Sequence, residues 1–179
     1  MIENELCLVI PTLEHKKDAM EYRQEWIDCE PGESIHGSGG LHRHENYEEW
    51  LKGIEKMRNN QLPEWVPGTT YFAVYNNNNN KIVGTIQIRY ILNETLFKTG
   101  GHIGYGVRPS ERRKGFATKM LALALDECKK LNIDRVLITC DKDNLGSART
   151  IQKHGGVLEN EIVDDDGEIL QRYWIDIKI

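Results

Sequence analysis

Apolar residues recur along this chain in two rhythms, and the change from one to the other divides it. Leu6-Cys7-Leu8-Val9-Ile10 is a continuous apolar run stopped by Pro11, the pattern of a buried strand. Ala19, Met20, Tyr22, Trp26 and Ile27 then return at helical spacing and predict a helix over 15–29, ended by Pro31 and Gly32. The glycine-rich stretch up to Asn46 offers few large apolar groups and reads as a loop, long enough to be functional rather than a plain connector. Tyr47, Trp50, Leu51, Ile54 and Met57 predict a second helix over 47–59. From Thr70 the period becomes that of strands: 70–75 and 82–90 flank the asparagine run 76–80, which reads as a hairpin tip. A strand over 102–107 closes at Arg108-Pro109. A long helix over 113–131 follows, with Phe116, Met120, Leu121, Ala124 and Cys128 as its buried stripe. A strand over 135–140, a helix over 144–154 ended by Gly155-Gly156, and strands over 157–163 and 169–177 complete the order. No repeat or linker interrupts it, so one mixed α/β domain over 1–179 is expected.

Composition narrows the class. With 39% hydrophobic and 28% charged residues in 179, the chain can bury a core and is neither fibrous nor disordered. No apolar run approaches the length of a membrane span, and the acidic start lacks a signal-peptide pattern, so a soluble, cytoplasmic protein without membrane partners is expected. A net charge of −5 argues against nucleic acid as a partner. Cys7, Cys29, Cys128 and Cys140 are scattered, with no CxxC pair, and read as buried apolar thiols. His36, His42 and His44 lack a cysteine or spaced carboxylate that would complete a metal site, so no metal is expected. The acidic turn at 159–168 reads as a solvated hairpin.

The segment 107–118 changes the picture from fold to chemistry. Residues 108–114 carry four positive charges and one negative, and Gly115 and Ala117 follow with almost no side-chain bulk, where a strand gives way to the long helix. Unpaired amides and the positive end of the helix dipole make such a junction an anion site, and a glycine lets phosphate approach the backbone. A solvated basic cap is the plain alternative.

The spacing Arg112-x-x-Gly115-x-Ala117 resembles the acyl-CoA pyrophosphate loop, Q/R-x-x-G-x-G/A, of the GNAT N-acetyltransferase superfamily. Asn144-x-x-Ser147 followed by Ile151-Gln152-Lys153-His154-Gly155 is similar to the segment after that family's next strand. The element order from Leu6 to the C-terminus also follows the family, most clearly over 101–156. The resemblance implies a mixed, mostly antiparallel sheet, splayed between its central strands and flanked by helices. It implies acetyl-CoA as acyl donor and the primary amine of a small molecule or peptide as acceptor, with direct attack in a ternary complex. A homodimer is compatible with it.

By the same resemblance, the amides of Arg113, Lys114, Gly115, Phe116, Ala117 and Thr118 cradle the pyrophosphate, and Arg112, Arg113 and Lys114 attract it. Val107 offers backbone hydrogen bonds to the pantetheine arm and an amide for the thioester oxygen. Asn144 bonds the pantetheine region, or is simply an N-cap, and Ser147 caps the following helix. Seven residues beyond Asn144, where many members carry a tyrosine that protonates the leaving thiolate, this chain has Ile151.

Transfer to an amine needs a base, oxyanion stabilisation and a thiolate that leaves or is protonated. Three residues are the proton-transfer candidates: His102, which titrates near neutrality; Glu94, just after the paired strand; and Tyr105, which could replace the missing acid. Asp141 is a weaker candidate, and Cys140 as a nucleophile lacks an identifiable base. A non-catalytic acyl-CoA-binding or sensing domain is the alternative, which the absent tyrosine keeps open.

Overall fold

A computed structural model describes residues 5–76 and 81–177. Four antiparallel strands, β1 (Glu5–Val9), β2 (Gly68–Asn76), β3 (Lys81–Arg89) and β4 (Ile103–Val107), pair in that order. The tip at 77–80 lies outside the described residues. A second antiparallel sheet has β5 (Arg135–Asp141) beside β7 (Ile169–Asp176), which pairs in turn with β6 (Val157–Val163).

Helices cover the first sheet on both faces. α1 (Lys16–Cys29) and α2 (Tyr47–Arg58) bury Tyr22, Trp26, Tyr47 and Trp50 with Phe72 and Ile82 of the strands. On the other face α3 (Phe116–Lys130) sends Phe116, Met120, Leu121, Ala124 and Cys128 against Ile86, Ile88, Ile103, Val136 and Ile138. Each such large side chain stabilises the fold by roughly 1.5–3 kcal/mol through removal from water. α4 (Leu145–Lys153) adds Ala148 and Ile151 to that second core.

Two local outcomes differ from the sequence reading. The long helix starts at Phe116 rather than Arg113, because Arg113 (φ 62°) and Gly115 (φ 80°) take left-handed backbone that a helix cannot continue. Residues 96–100 form a short wide helical turn that no periodicity announced, led by Asn93, whose Oδ1 accepts from the Leu96 amide at 2.9 Å. Of the cysteines, Cys128 and Cys140 are buried as expected, whereas Cys29 at the end of α1 is exposed.

The loop over 30–46 is pinned rather than free. Ile35, Ser38 and Leu41 are buried, the Trp50 indole donates to Ser38 O at 2.9 Å, and the Thr85 hydroxyl donates to His36 O at 3.0 Å. Gly37 lies so close to β4 that a Cβ there would come 2.3 Å from Gly104 O. The loop therefore forms a wall over the first strand of the central gap.

That gap is where the two sheets meet. The Arg108 amide bonds Val83 O and the Arg89 amide bonds His102 O, each at 2.8 Å. Strand alternation then turns the amides and carbonyls of Ile103, Tyr105 and Val107 away from β3, toward β5. Only at one end is that edge closed: the His102 amide donates to Leu137 O at 2.7 Å, and the Leu137 amide donates to His102 Nδ1 at 3.0 Å. Beyond this contact no hydrogen bond joins β4 to β5 among the described residues.

Candidate active site

One end of the gap opens at the start of α3. Among the described residues, none of the amides of residues 113–118 donates to a protein acceptor, and the first bond of the helix is Lys119 N to Gly115 O at 3.3 Å. No side chain caps the helix. Left-handed backbone at Arg113 and Gly115 turns these amides into a concave cluster, and a Cβ at Gly115 would meet nothing within 4 Å. Six unpartnered donors beside open space suit an anion of phosphate type. Phe116 anchors the turn from below, edge-on to Tyr75 with ring centroids 5.3 Å apart; Ala117 and Thr118 are half-buried.

The cations sort differently from the expectation. Arg112 is clasped by Glu30 through both terminal nitrogens, at 2.5 and 3.1 Å, stacks over Trp26 at 4.7 Å and donates to Val107 O. Lys114 pairs with Glu111 at 2.9 Å, and Glu111 also takes Lys81 at 2.7 Å. The Arg112 hydrogen bonds hold the Glu30 carboxyl below its ordinary range; burial works against this at Glu111, where the two lysines still prevail. Arg112 and Lys114 are thus neutralised within the protein, because a carboxylate three residues away or at the end of α1 reaches them first. Arg113 is exposed and in no ion pair among the described residues, so it is the cation left to face an anion there.

Toward the closed end of the gap lies a cavity of about 230 Å³, lined by residues from β3, β4, β5, α4, the 96–100 turn and the 30–46 loop. Tyr105 and Ser147 meet in it, hydroxyl to hydroxyl at 2.9 Å, and Asn144 Oδ1 accepts from the Ser147 amide at 3.0 Å. Asn144 is thus the N-cap of α4, with its amide nitrogen still available. Burial pushes the Tyr105 phenol up to about 12, with nearby Cys140 adding to this and Ser147 opposing it. Burial also raises the Cys140 thiol, which leaves it a protonated wall group rather than a nucleophile. His36 and Asp141 line the same space.

Two of the three proton-transfer candidates do not reach it. His102 is the clasp between the sheets, and its Nδ1 lone pair is committed to the Leu137 amide. Burial, with Arg89 nearby, lowers its pKa to about 4. A neutral imidazole whose acceptor nitrogen is already bonded has no lone pair for an amine proton, so the role expected of it as a base is corrected to a structural one. Glu94 is exposed at the outer end of the 93–100 turn and does not line the cavity. Ile151, at the position of the missing tyrosine, is fully buried in the core beneath α4. Tyr105 is the candidate that the fold brings to the cleft.

Arg89, His36 and Thr99 also line the cavity, and sequence reasoning had not placed them there. In the sequence Arg89 is one more polar position after Thr85 and Gln87, alternating with Ile86 and Ile88. Its only distinguishing signal was a cation at the end of an otherwise buried strand. No group of three or more possible metal ligands occurs among the described residues. No helix among them is long and apolar enough to cross a membrane.

With this geometry in hand, known proteins can be set beside it. The family described as acetyltransferase (GNAT) domain matches residues 6–157. An uncharacterized N-acetyltransferase, YjdG of Bacillus subtilis (strain 168), is 31% identical over 77 residues, and that match spans 41% of this chain and 40% of the relative's length. Among solved structures, the microcin C7 self-immunity acetyltransferase MccE, in complex with acetyl-CoA and AMP, superposes with a TM-score of 0.69 at 21% identity, covering 98% of this chain and 94% of that one. RimL, a ribosomal L7/L12 alpha-N-protein acetyltransferase in complex with coenzyme A, gives 0.70 at 16% identity over 99% and 97% of the two chains. At these identities the structures speak to the fold, while the sequence match covers most of the chain. Split sheet, uncapped helix and family match agree: the chain belongs to the GNAT acetyltransferase domain family.

Proposed function

We propose that the whole chain acts as one catalytic domain that transfers an acetyl group from acetyl-CoA to the primary amine of a small molecule or peptide, by direct attack in a ternary complex. The observation that carries this reading is the open edge of β4, which runs from six unpartnered amides at 113–118 to the cavity around Tyr105 and Ser147. The donor set fits the group: concave amides and Arg113 for a pyrophosphate, and the free strand amides of Val107 and Tyr105 with the Tyr105 carbonyl for the amides of a pantetheine arm. Acetyl-CoA, when bound, supplies an acetyl group activated as a thioester. The Val107 amide stabilises negative charge on a carbonyl oxygen at that edge. Asn144, through its free amide nitrogen, orients the same arm.

Tyr105 takes the acid role. Its phenol keeps its proton through the physiological range and can deliver it to a leaving thiolate, with Ser147 holding the hydroxyl in place. His36 and Asp141 are the groups in the cavity able to accept a proton from the incoming amine, directly or through water.

Calorimetric titration of acetyl-CoA, with ATP and NAD as controls, on the wild type and Gly115→Asp tests the donor. Asp tolerates left-handed backbone better than most residues, so the variant should fold, as circular dichroism will check. Its carboxylate would project into the amide cluster and should weaken acetyl-CoA binding about 100-fold or more. Equal binding by both proteins, or none by the wild type, would remove the assignment of 113–118 and the acetyl-transfer reading with it. Tight binding with no thiol release for any amine would instead favour a non-catalytic acyl-CoA-binding domain.

A further inference from the structure

Resting on the acetyl-transfer reading, we infer that the acceptor carries a carboxylate near its reactive amine, and that Arg89 at the end of β3 is the residue that selects it. Comparison with the two fully buried arginines points there, and Arg89 differs from half-buried Arg23, also held by two carbonyls, in lining the cavity. Arg108 and Arg172 are each 6% exposed, and each is matched by carboxylates: Asp18 and Glu25 for the first, Glu159 for the second. Arg89 has no carboxylate partner among the described residues. Its protein contacts are two carbonyls, Gly100 O at 3.2 Å and Gly101 O at 3.0 Å, and both are taken by the same terminal nitrogen, Nη1.

This arrangement orients the guanidinium and leaves a defined edge of it unused. Nη2 and Nε make no hydrogen bond among the described residues, and neither atom is fully buried, so both keep some contact with open space. Arg89 lines the cavity that also holds Tyr105. A Cβ built on Gly104, one of the two β4 glycines that face the loop wall, would come 3.7 Å from Nη2, so the free edge lies beside the strand that carries Tyr105. The Nη2–Nε edge presents two parallel donors, the geometry that pairs with both oxygens of a carboxylate.

Electrostatics agrees with geometry. Burial pulls the Arg89 guanidinium below its ordinary value, with nothing to oppose it. The protein thus tolerates an uncompensated charge in a half-buried place, which costs free energy until an anion arrives. Only one other charged side chain, Asp141, joins Arg89 in the cavity lining, and it too makes no ion pair among the described residues. A cation and an anion left open in one small cavity complement an amine and a carboxylate carried by one molecule: an amino acid, or a peptide whose reactive amine lies close to a carboxylate. A polyamine would leave Arg89 unmatched and add like charge beside it.

The test compares acids with their own amides. Glycine, β-alanine and γ-aminobutyrate, each beside its carboxamide, are run as acceptors with saturating acetyl-CoA. These pairs vary the spacing between amine and carboxylate while leaving the amine in place. Expected for the wild type is a kcat/KM at least about 100-fold higher for the acid than for the amide at one spacing. Arg89→Gln should bring that ratio close to one, mainly through KM for the acid, without changing acetyl-CoA affinity. Arg89→Lys should restore part of the preference. A role confined to holding the 96–101 turn would slow both members of a pair alike.

A wild-type ratio near one, or a preference for the amides, overturns the inference whatever the variants do. Saturation-transfer NMR with N-acetyl-β-alanine and its amide, on the protein without acetyl-CoA, reads the Arg89 site separately from the donor site. If acetyl-CoA fails to bind but the acid alone gives transfer lost in Arg89→Gln, the donor reading falls and the carboxylate site stands. If acetyl-CoA binds and neither acid nor amide gives a signal or product, the carboxylate site falls alone.

Discussion

Arg108 and Arg89 mark opposite ends of the same β3–β4 ladder, and the protein treats them in opposite ways. Arg108 follows β4 and is held by Glu25 at 2.6 Å, Asp18 at 2.8 Å and Ile82 O at 3.1 Å. Burial alone would lower its pKa, yet the two carboxylates raise it. Arg89 ends β3 and is held by carbonyls alone, and its pKa falls. One residue type therefore does two jobs. Where the charge is matched by carboxylates on Nε and Nη1, the arginine ties α1 to the sheet; where an edge and a charge are left open beside a cavity, the arrangement suits a binding role.

The largest effect that can break this contrast is on stability. Arg108→Gln leaves two inward carboxylates without their cation and should cost about 3 kcal/mol in denaturant unfolding. Arg89→Gln removes an uncompensated charge and two carbonyl bonds, and should stay within about 1 kcal/mol of the wild type. Similar losses for both would make Arg89 a structural arginine like its counterpart.

His102, beside Arg89 at the closed end of the gap, gives a pH-dependent effect of similar size. Its folded value of about 4 lies below the ordinary 6.5, so the native state disfavours the proton. The stabilisation is complete above pH 6.5 and is lost as pH falls toward 4, by up to about 3 kcal/mol. Denaturant midpoints between pH 7 and 4.5 should therefore converge for wild type and His102→Asn. Parallel curves would mean that the imidazole clasp contributes nothing.

Tyr105→Phe, in the open region, should lower kcat about 10-fold with acetyl-CoA affinity unchanged; an unaltered kcat would move the acid role to water or to another group. The smallest effect belongs to Glu30→Gln. The Glu30–Arg112 pair is about one-third exposed on each side. Losing it should change stability by less than about 1 kcal/mol. A larger loss would place Arg112 with Arg108 as a structural tie.

Much of the architecture was legible because it rests on local pattern. Every strand and main helix expected over the described residues is present, with shifts at the ends such as Phe116 for Arg113 as the start of α3. The cluster of unpartnered amides was legible for the same reason: it is contiguous, and residues 113–118 need only a strand, a glycine and a helix start. The acceptor side was not. Arg89, Tyr105, Ser147 and His36 come from four elements, and no spacing rule connects positions scattered from 36 to 147. His102 was misread because its partner is a backbone amide of β5, which periodicity cannot assign to a particular side chain.

Apolar rhythm and glycine placement determined the element order, the two-sided covering of the sheet and the amide cluster at the start of α3, since each depends on neighbours in the chain. Tertiary structure alone decided which charges are matched: it brought Asp18 and Glu25 to Arg108, Glu30 to Arg112 and the Leu137 amide to His102. Among the described residues it brought no carboxylate to Arg89. The net interaction of a charge depends on distances of a few ångströms to groups far away in sequence, and those distances exist only once the chain has folded.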